Sequence, residues 1–310
     1  IFRKDKHMKK YHAWIIYNGF LTHSKFLTLF AHLQSAMRQK NITCQLVKHH
    51  ELIFVMHDEK NEIVRKYIGQ LPDFILFWDK DILLAQQLEA CNIPLYNCAK
   101  AIEICDHKGK MHQILSQTKI PMPKTIIAPH VFPNCSILDW NFHDSVIETL
   151  KLPLIIKEAY GSFGFQVHLA KTKKEVYRLG MELQHKPHIY QEYIRSSHGR
   201  DIRLQVVGNQ VVAAIYRESP TDFRANITNG AIATAYTPSE IEKQLAITAT
   251  QTVGADFAGV DLLFGENDEP LLCEINTNAH FINLMNATGI DVAPLILDHI
   301  LQDMEAKKTC

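Results

Sequence analysis

From His12 to Tyr96 the chain alternates apolar runs of strand length with stretches of helical periodicity, and that alternation narrows the fold more than any other feature. "HAWIIY" reads as a strand. Ser24 to Lys40 then carries Phe26, Leu29, Phe30, Leu33 and Met37 at helical spacing, with Asn41 placed to end the helix. "TCQLV" resumes as a strand, "DFILFW" follows Pro72 as a third, Ile82 to Ala90 is a short helix and "IPLY" closes the series. Strand–helix units joined by short loops imply an α/β fold with an open, largely parallel sheet.

A helical stretch from Ala99 to about Thr118 follows, with Gly109 as its weak point. The prolines of "IPMPK" cannot continue it and mark a boundary. Residues 129–141 have mixed character. From Pro153 the pattern becomes α+β. "LPLIIKEAY" is a strand, "GSFGF" a glycine loop and "QVHLA" a returning strand. Thr172 and Glu175 form a capping box ahead of a helix through Leu183. "HIYQEYI" is again a strand, and "DIRLQVVGNQVVAAIYRE" is a hairpin turning at Gly208-Asn209. Thr237, Pro238 and Glu240 are read as cap, first helical residue and capping partner for a helix to Gly254. A second hairpin occupies residues 258–278, and Val292 to Glu305 is a last amphipathic helix.

The 310 residues are 46% hydrophobic and 21% charged, enough for two or three packed units. Lysine plus arginine balances aspartate plus glutamate at 33 each, so no overall charge argues for nucleic acid or an anionic membrane. Seven cysteines, an odd number without CxxC pairs, favour a reducing cytoplasm. Cys91, Cys98 and Cys105 recur every seven residues, but that spacing fits no zinc signature. No run is long and apolar enough to span a bilayer, and Trp14 to Leu21 is too short for a secretion signal. Met8 is taken as the natural start, and residues 1–7 stay outside the fold argument.

Chemistry concentrates in the second half. In "AGVDLLFGENDEPLLCEINTN", pairing Phe264 with Leu271 sets Asp261 opposite Glu274, with Asn276 two residues on and on the same face. Two carboxylates and an amide oxygen would converge there with no cation nearby in sequence. A hard divalent cation would neutralise them; a hydrated polar sheet face is the alternative. Lys157 ends an apolar strand just before Gly161-Ser162-Phe163-Gly164, where backbone N–H groups could approach phosphate, or the segment is simply a tight turn. Lys108 sits in "DHKGK", within helix. "YQEYI" alternates Tyr190, Glu192 and Ile194 against Gln191 and Tyr193, an edge strand or a nucleobase contact. Asp201 follows in "GRDIR" as a ribose-binding candidate. Arg203, Arg217 and Arg224 each require an anion, either a transferring phosphate or substrate carboxylate or an internal salt bridge.

In order, Lys108, Lys157 with "GSFGF", "QEYI", "DIR", "FRAN", "GVDLL", "EIN" and "TGID" resemble the ATP-grasp superfamily, and within it the RimK-type L-glutamate ligases that add glutamate to ribosomal protein tails. The resemblance spans roughly Ala99 to Leu301. It implies an ATP-grasp fold over 104–305, with a lid at about 120–194 and a catalytic subdomain at about 195–305. An N-terminal α/β domain over 8–103 would precede it. By the same resemblance, Lys108 and Lys157 contact the phosphates of ATP and the loop of Gly161, Ser162 and Gly164 closes over them. Gln191, Glu192, Tyr193 and Ile194 hold adenine, and Asp201 holds ribose. Arg224 and Asn226 lie near triphosphate and acceptor, with Arg203, Arg217 and Arg224 as catalytic cations. Asp261, Glu274 and Asn276 ligate magnesium, two ions being expected and manganese a substitute.

The implied reaction activates a carboxylate as an acyl phosphate, which an amine then attacks. Glutamate is the expected amino acid and a protein or peptide the expected acceptor, in a cytoplasmic dimer or tetramer. A ligase for a small metabolite or short peptide, and a non-catalytic ATP-binding regulator, are the alternatives. Three departures from the family pattern stand out: "NTNAHF" where Ser-Pro-Gly usually follows the metal Asn, the phenylalanines of "GSFGF", and "DHK" in place of "DK".

Overall fold

The alternation of the first hundred residues produces a four-stranded parallel sheet in the order β2-β1-β5-β6. The strands are β1 (His12–Tyr17), β2 (Thr43–Lys48), β5 (Phe74–Trp78) and β6 (Leu95–Tyr96). The structure is a computed structural model that describes residues 10–309 apart from 59, 64–68 and 163; the readings on residues 1–7, Met8 and Phe163 lie outside the described residues.

Helix α1 (Ser24–Gln39) buries Leu29, Phe30, Leu33 and Met37, four of the five residues that defined its periodicity. Asn41 takes a φ of 58°, the left-handed turn that ends the helix. Helix α2 (Ile82–Ala90) is capped by Asp81, and a hairpin of β3 (Phe54–His57) and β4 (Lys60–Ile63), not foreseen in the sequence, interrupts the alternation. Cys91 caps α2 and Cys98 lies in the loop beyond β6.

The chain divides into two compact units, one reaching Ala99 and resuming at Asp291, the other spanning Lys100–Ile290. The final helix α9 (Val292–Thr309) therefore goes with the first unit, whereas the sequence reading counted it with the second. Its Ala293, Ile296, Leu297 and Ile300 are fully buried, and its Asp298 pairs with Lys40 of α1.

In the second unit the helical stretch after residue 99 is two helices, α3 (Ala99–Asp106) and α4 (Lys108–Leu115). The break falls at His107, not Gly109. The His107 ring accepts from the Lys110 amide and caps α4, so the extra residue of "DHK" sets Lys108 at the first position of a helix. Next comes a four-stranded sheet in the order β7-β10-β8-β9, from β7 (Thr125–Ile127), β8 (Leu154–Glu158), β9 (Val167–Ala170) and β10 (His188–Glu192). One face packs Leu154, Ile156 and Tyr190 against α5 (Asn141–Leu150) and α6 (Lys173–Leu183). Period-two alternation leaves Ile155, Lys157 and Gln191 on the other face.

The remaining sheet, β13-β12-β11-β14-β15, contains β11 (Arg200–Val207), β12 (Gln210–Glu218), β13 (Ile232–Ala235), β14 (Phe257–Phe264) and β15 (Pro270–Asn276). Ile202, Leu204, Val260 and Leu262 pack with Leu245, Ala246 and Ala249 of α7 (Glu240–Val253), and Asp201, Arg203 and Asp261 project from the opposite face. Helix α7 starts two residues later than expected: Ser239 and Glu242 form its capping box, in place of Thr237 and Glu240. The short helix α8 (Ile282–Thr288) follows β15.

Candidate active site

A cleft of about 860 Å³, its open mouth included, lies in the second unit between the Lys157 face of the four-stranded sheet and the Asp261 face of the five-stranded one. From the four-stranded antiparallel sheet it takes Ile155, Lys157, Gln191 and Glu192, with Tyr193 and Ile194 beyond it. From the larger sheet it takes Asp201, Asp261, Leu263, Cys273 and Glu274. The loops add Gly161, Ser162, Gly164, Arg224 and Asn226, and α4 adds Lys108. Arg203, Arg217 and Asn276 stand immediately behind, bonded to residues of the wall.

Both lysines are buried and aimed by specific partners. Lys157 donates to Gln191 Oε1 at 2.7 Å and lies 3.8 Å from Cys273 Sγ. The Lys108 ammonium donates to the Gly161 carbonyl at 3.2 Å, while its own amide donates to the Ala159 carbonyl at 3.0 Å, so one residue fastens both ends of the strand–loop junction. Gly161 (φ 145°) and Gly164 (φ 75°) hold backbone that side chains rarely adopt. A Cβ at Gly164 would sit 2.5 Å from Asn226 Oδ1. Arg224 reaches the Gly164 carbonyl at 2.5 Å and forks onto Asp222 at 2.7 and 3.0 Å. The glycine loop is therefore seated on Arg224 and Asn226.

Asp261 does stand opposite Glu274, but by another register than the sequence suggested. Phe264 pairs with Pro270, and Leu262 with Leu272; a bulge between Asp261 and Leu262 then inserts Cys273. Both Cys273 and Glu274 reach the cleft as a result. The expectation that these carboxylates lack a cation is overturned. Asp261, 3% exposed, accepts from Arg203 at 2.6 and 2.7 Å and from Arg217 at 3.0 Å. Arg217, 2% exposed, also forks onto Asp201 at 2.6 and 2.7 Å. All three arginines are thus in internal salt bridges, and both oxygens of Asp201 are taken by Arg217.

Electrostatics follow from that ladder. Burial works to raise the Asp261 carboxyl, but Arg203 and Arg217 outweigh it and hold it at about 2. Burial pushes Asp201 up to about 6 despite Arg217. Burial opposes the charge of Arg217, yet its two aspartates more than offset this and raise it above the ordinary range. Glu274 is only half-buried and accepts from Asn276 Nδ2 at 3.2 Å. Asp261, Glu274 and the Asn276 amide oxygen are by chemistry the hard donors a magnesium ion takes, and of the two carboxylates Glu274 is the one without a guanidinium on its oxygens.

Several residues escaped the sequence reading. Ile155, Val167 and Leu263 give the cleft apolar walls, Cys273 enters through the bulge, and His112 lies buried behind Gln191. Ile155 and Val167 were legible as residues on the Lys157 face of a strand pair; the bulge had no signature.

Comparison with known proteins matches residues 105–300 to the RimK-like ATP-grasp domain. An uncharacterised Mycoplasma pneumoniae protein, the MG012 homolog, is 35% identical over 211 residues, which are 66% of this chain and 72% of that one. β-Citrylglutamate synthase B of Mus musculus is 34% identical over 224 residues, 71% of this chain and 56% of the synthase. Among solved structures, D-alanine–D-alanine ligase from Bacillus anthracis, complexed with ATP, superimposes with a TM-score of 0.71 at 15% identity, covering 96% of this chain and 99% of the ligase.

Proposed function

The chain belongs to the RimK-like ATP-grasp family of ATP-dependent ligases, and from that premise we propose that it joins L-glutamate to a carboxylate on a protein or peptide, through an acyl phosphate. One observation carries the reading: two buried lysines, a glycine loop and the Asp261–Glu274 pair surround a single cleft. In the first step a carboxylate oxygen attacks the γ-phosphorus of ATP, giving the acyl phosphate and ADP. In the second the glutamate amine attacks the acyl carbon, phosphate leaves and the amine proton is released.

The residues divide this work. Lys108 and Lys157 bind phosphates as compact charges, and the amides of the glycine loop add donors. Ile155, Leu263 and the segment Gln191 to Ile194 hold the base. Asp261, Glu274 and Asn276 would hold magnesium, which when bound offsets phosphate charge. Arg203 and Arg217 keep Asp261 ionised and in place, so Arg224 is the guanidinium that faces the transferring group. The loop, seated on Arg224 and Asn226, shields the acyl phosphate from water.

A second reading replaces the peptide by a small acid, and the resemblance to a β-citrylglutamate synthase favours it. Incubation with Mg-ATP, L-glutamate and a panel of citrate and carboxy-terminal peptides, followed by product mass and ADP, tests both. An amide product formed in step with ADP supports the ligase. ATP binding without ADP formation in any mixture supports a regulatory nucleotide binder instead.

A further inference from the structure

Behind the wall of the cleft runs a buried chain of hydrogen bonds. Gln191, 1% exposed, accepts from Lys157 Nζ at its Oε1. Its Nε2 lies 2.8 Å from Thr125 Oγ1 on the neighbouring edge strand β7 and 3.1 Å from His112 Nε2 on α4. His112 sits one helical turn after Lys108 and is 4% exposed.

Each neighbour independently fixes which end of the amide is oxygen. A lysine ammonium has no lone pair, so oxygen faces Lys157. Thr125 gives its own hydroxyl hydrogen to the Pro123 carbonyl at 2.9 Å, so toward Gln191 its oxygen accepts. Burial, followed by the charges of Lys157 and Lys108, lowers His112 to about 3, so the ring is neutral. With its proton on Nδ1, against Met122 Sδ at 3.3 Å, His112 accepts at Nε2. Both N–H groups of Gln191 are thereby bound away from the cleft.

We propose that His112 and Thr125 are positioning residues for base selection: they lock the Gln191 amide so that it offers the cleft an acceptor and no donor. A base edge that donates, as the amino group of adenine does, is then matched; one that accepts, as the carbonyl of guanine does, meets oxygen against oxygen. The inference rests on the reading of the cleft as a nucleotide site, with the base beside residues 191–194.

Calorimetric titration of the full chain with Mg-ATP and with Mg-GTP tests it. The parent favours ATP by about tenfold or more, the factor set by one mismatched buried polar contact. In the double variant His112→Phe, Thr125→Val the amide has lost both partners that hold its N–H groups inward and only Lys157 still orients it, so the preference falls several-fold. Adding Gln191→Glu to that background restores the preference, because a carboxylate has no donor to offer, although its charge weakens both nucleotides. A lesion that merely loosened the pocket would not be rescued this way. Should the double variant fail to fold, Thr125→Val alone, on an edge strand, shifts the ratio in the same direction. An unchanged ratio in a folded variant that still binds ATP overturns this inference alone, and a parent that binds neither nucleotide overturns the reading of the cleft with it.

Discussion

Asp261 faces Glu274 across two strands although the pairs nearer the turn run one residue out of step. The bulge at Cys273 makes up the difference, and it brings two successive side chains into the cleft where a regular ladder would admit one. The two carboxylates differ in what holds them. Asp261 is buried under two guanidiniums, whereas Glu274 is half-buried with Asn276 as its neighbour.

That difference decides which substitution reads the metal role cleanly. Glu274→Gln removes one hard donor without breaking a buried ion pair, so ADP formation is abolished while the melting temperature stays within a few degrees of the parent. Asp261→Asn abolishes ADP formation too, but also strips charge from the partner of Arg203 and Arg217, and it destabilises the fold. Parallel ADP assays and thermal melts check both; parental turnover in Glu274→Gln would contradict the assignment.

Arg217 tests the ladder itself. Arg217→Ala leaves Asp201 and Asp261 buried beside each other with half their cationic support, and breaking a buried pair in this way costs about 3–5 kcal/mol. Urea unfolding monitored by circular dichroism should show a loss of that order. A loss under about 1 kcal/mol, the size typical of an exposed pair, would mean that the ladder is solvated.

Much of this was legible and some was not. Lys157 at the end of an apolar strand and the capping box at Thr172 followed from spacing, whereas Asp261 meets Glu274 as expected only because a bulge offsets a one-residue error in the register nearer the turn. The arginine–aspartate ladder did not, because it needs the order β12-β11-β14, and nothing local specifies which strands flank Arg203. The cap at His107 was obscured because a histidine seldom caps, and Gly109 was the more conspicuous interruption. Helix α5 was missed although Phe142, Val146, Ile147 and Leu150 have helical spacing, because the irregular stretch before it masked its start.

Acid stability should carry the mark of His112. Its folded-state value of about 3 lies below the ordinary 6.5, so the folded protein disfavours the proton. The associated stability is complete above about pH 6.5 and is lost as pH falls toward 3. Other histidines shifted the same way by burial contribute, so the informative quantity is a difference. Urea midpoints measured from pH 7.5 to 4.5 should fall less steeply for His112→Phe than for the parent; equal slopes would show that the ring is solvated.

Gly164→Ala tests the seating of the glycine loop. At φ 75° a Cβ costs about 1–2 kcal/mol and would also meet Asn226 Oδ1. The loop must shift, so affinity for Mg-ATP falls by about tenfold, the equivalent of about 1.4 kcal/mol. Calorimetric titration reads the affinity, and an unaltered value would place the loop outside the nucleotide contacts.

In the proposed reaction the cleft activates a carboxylate with ATP before an amine displaces phosphate. With a turned-over acid labelled with oxygen-18 in its carboxyl group, mass spectrometry of the released phosphate reads that step directly. One labelled oxygen should appear in phosphate for each amide formed, with ADP as the nucleotide product. Label confined to the amide and unreacted acid, or AMP in place of ADP, would contradict it.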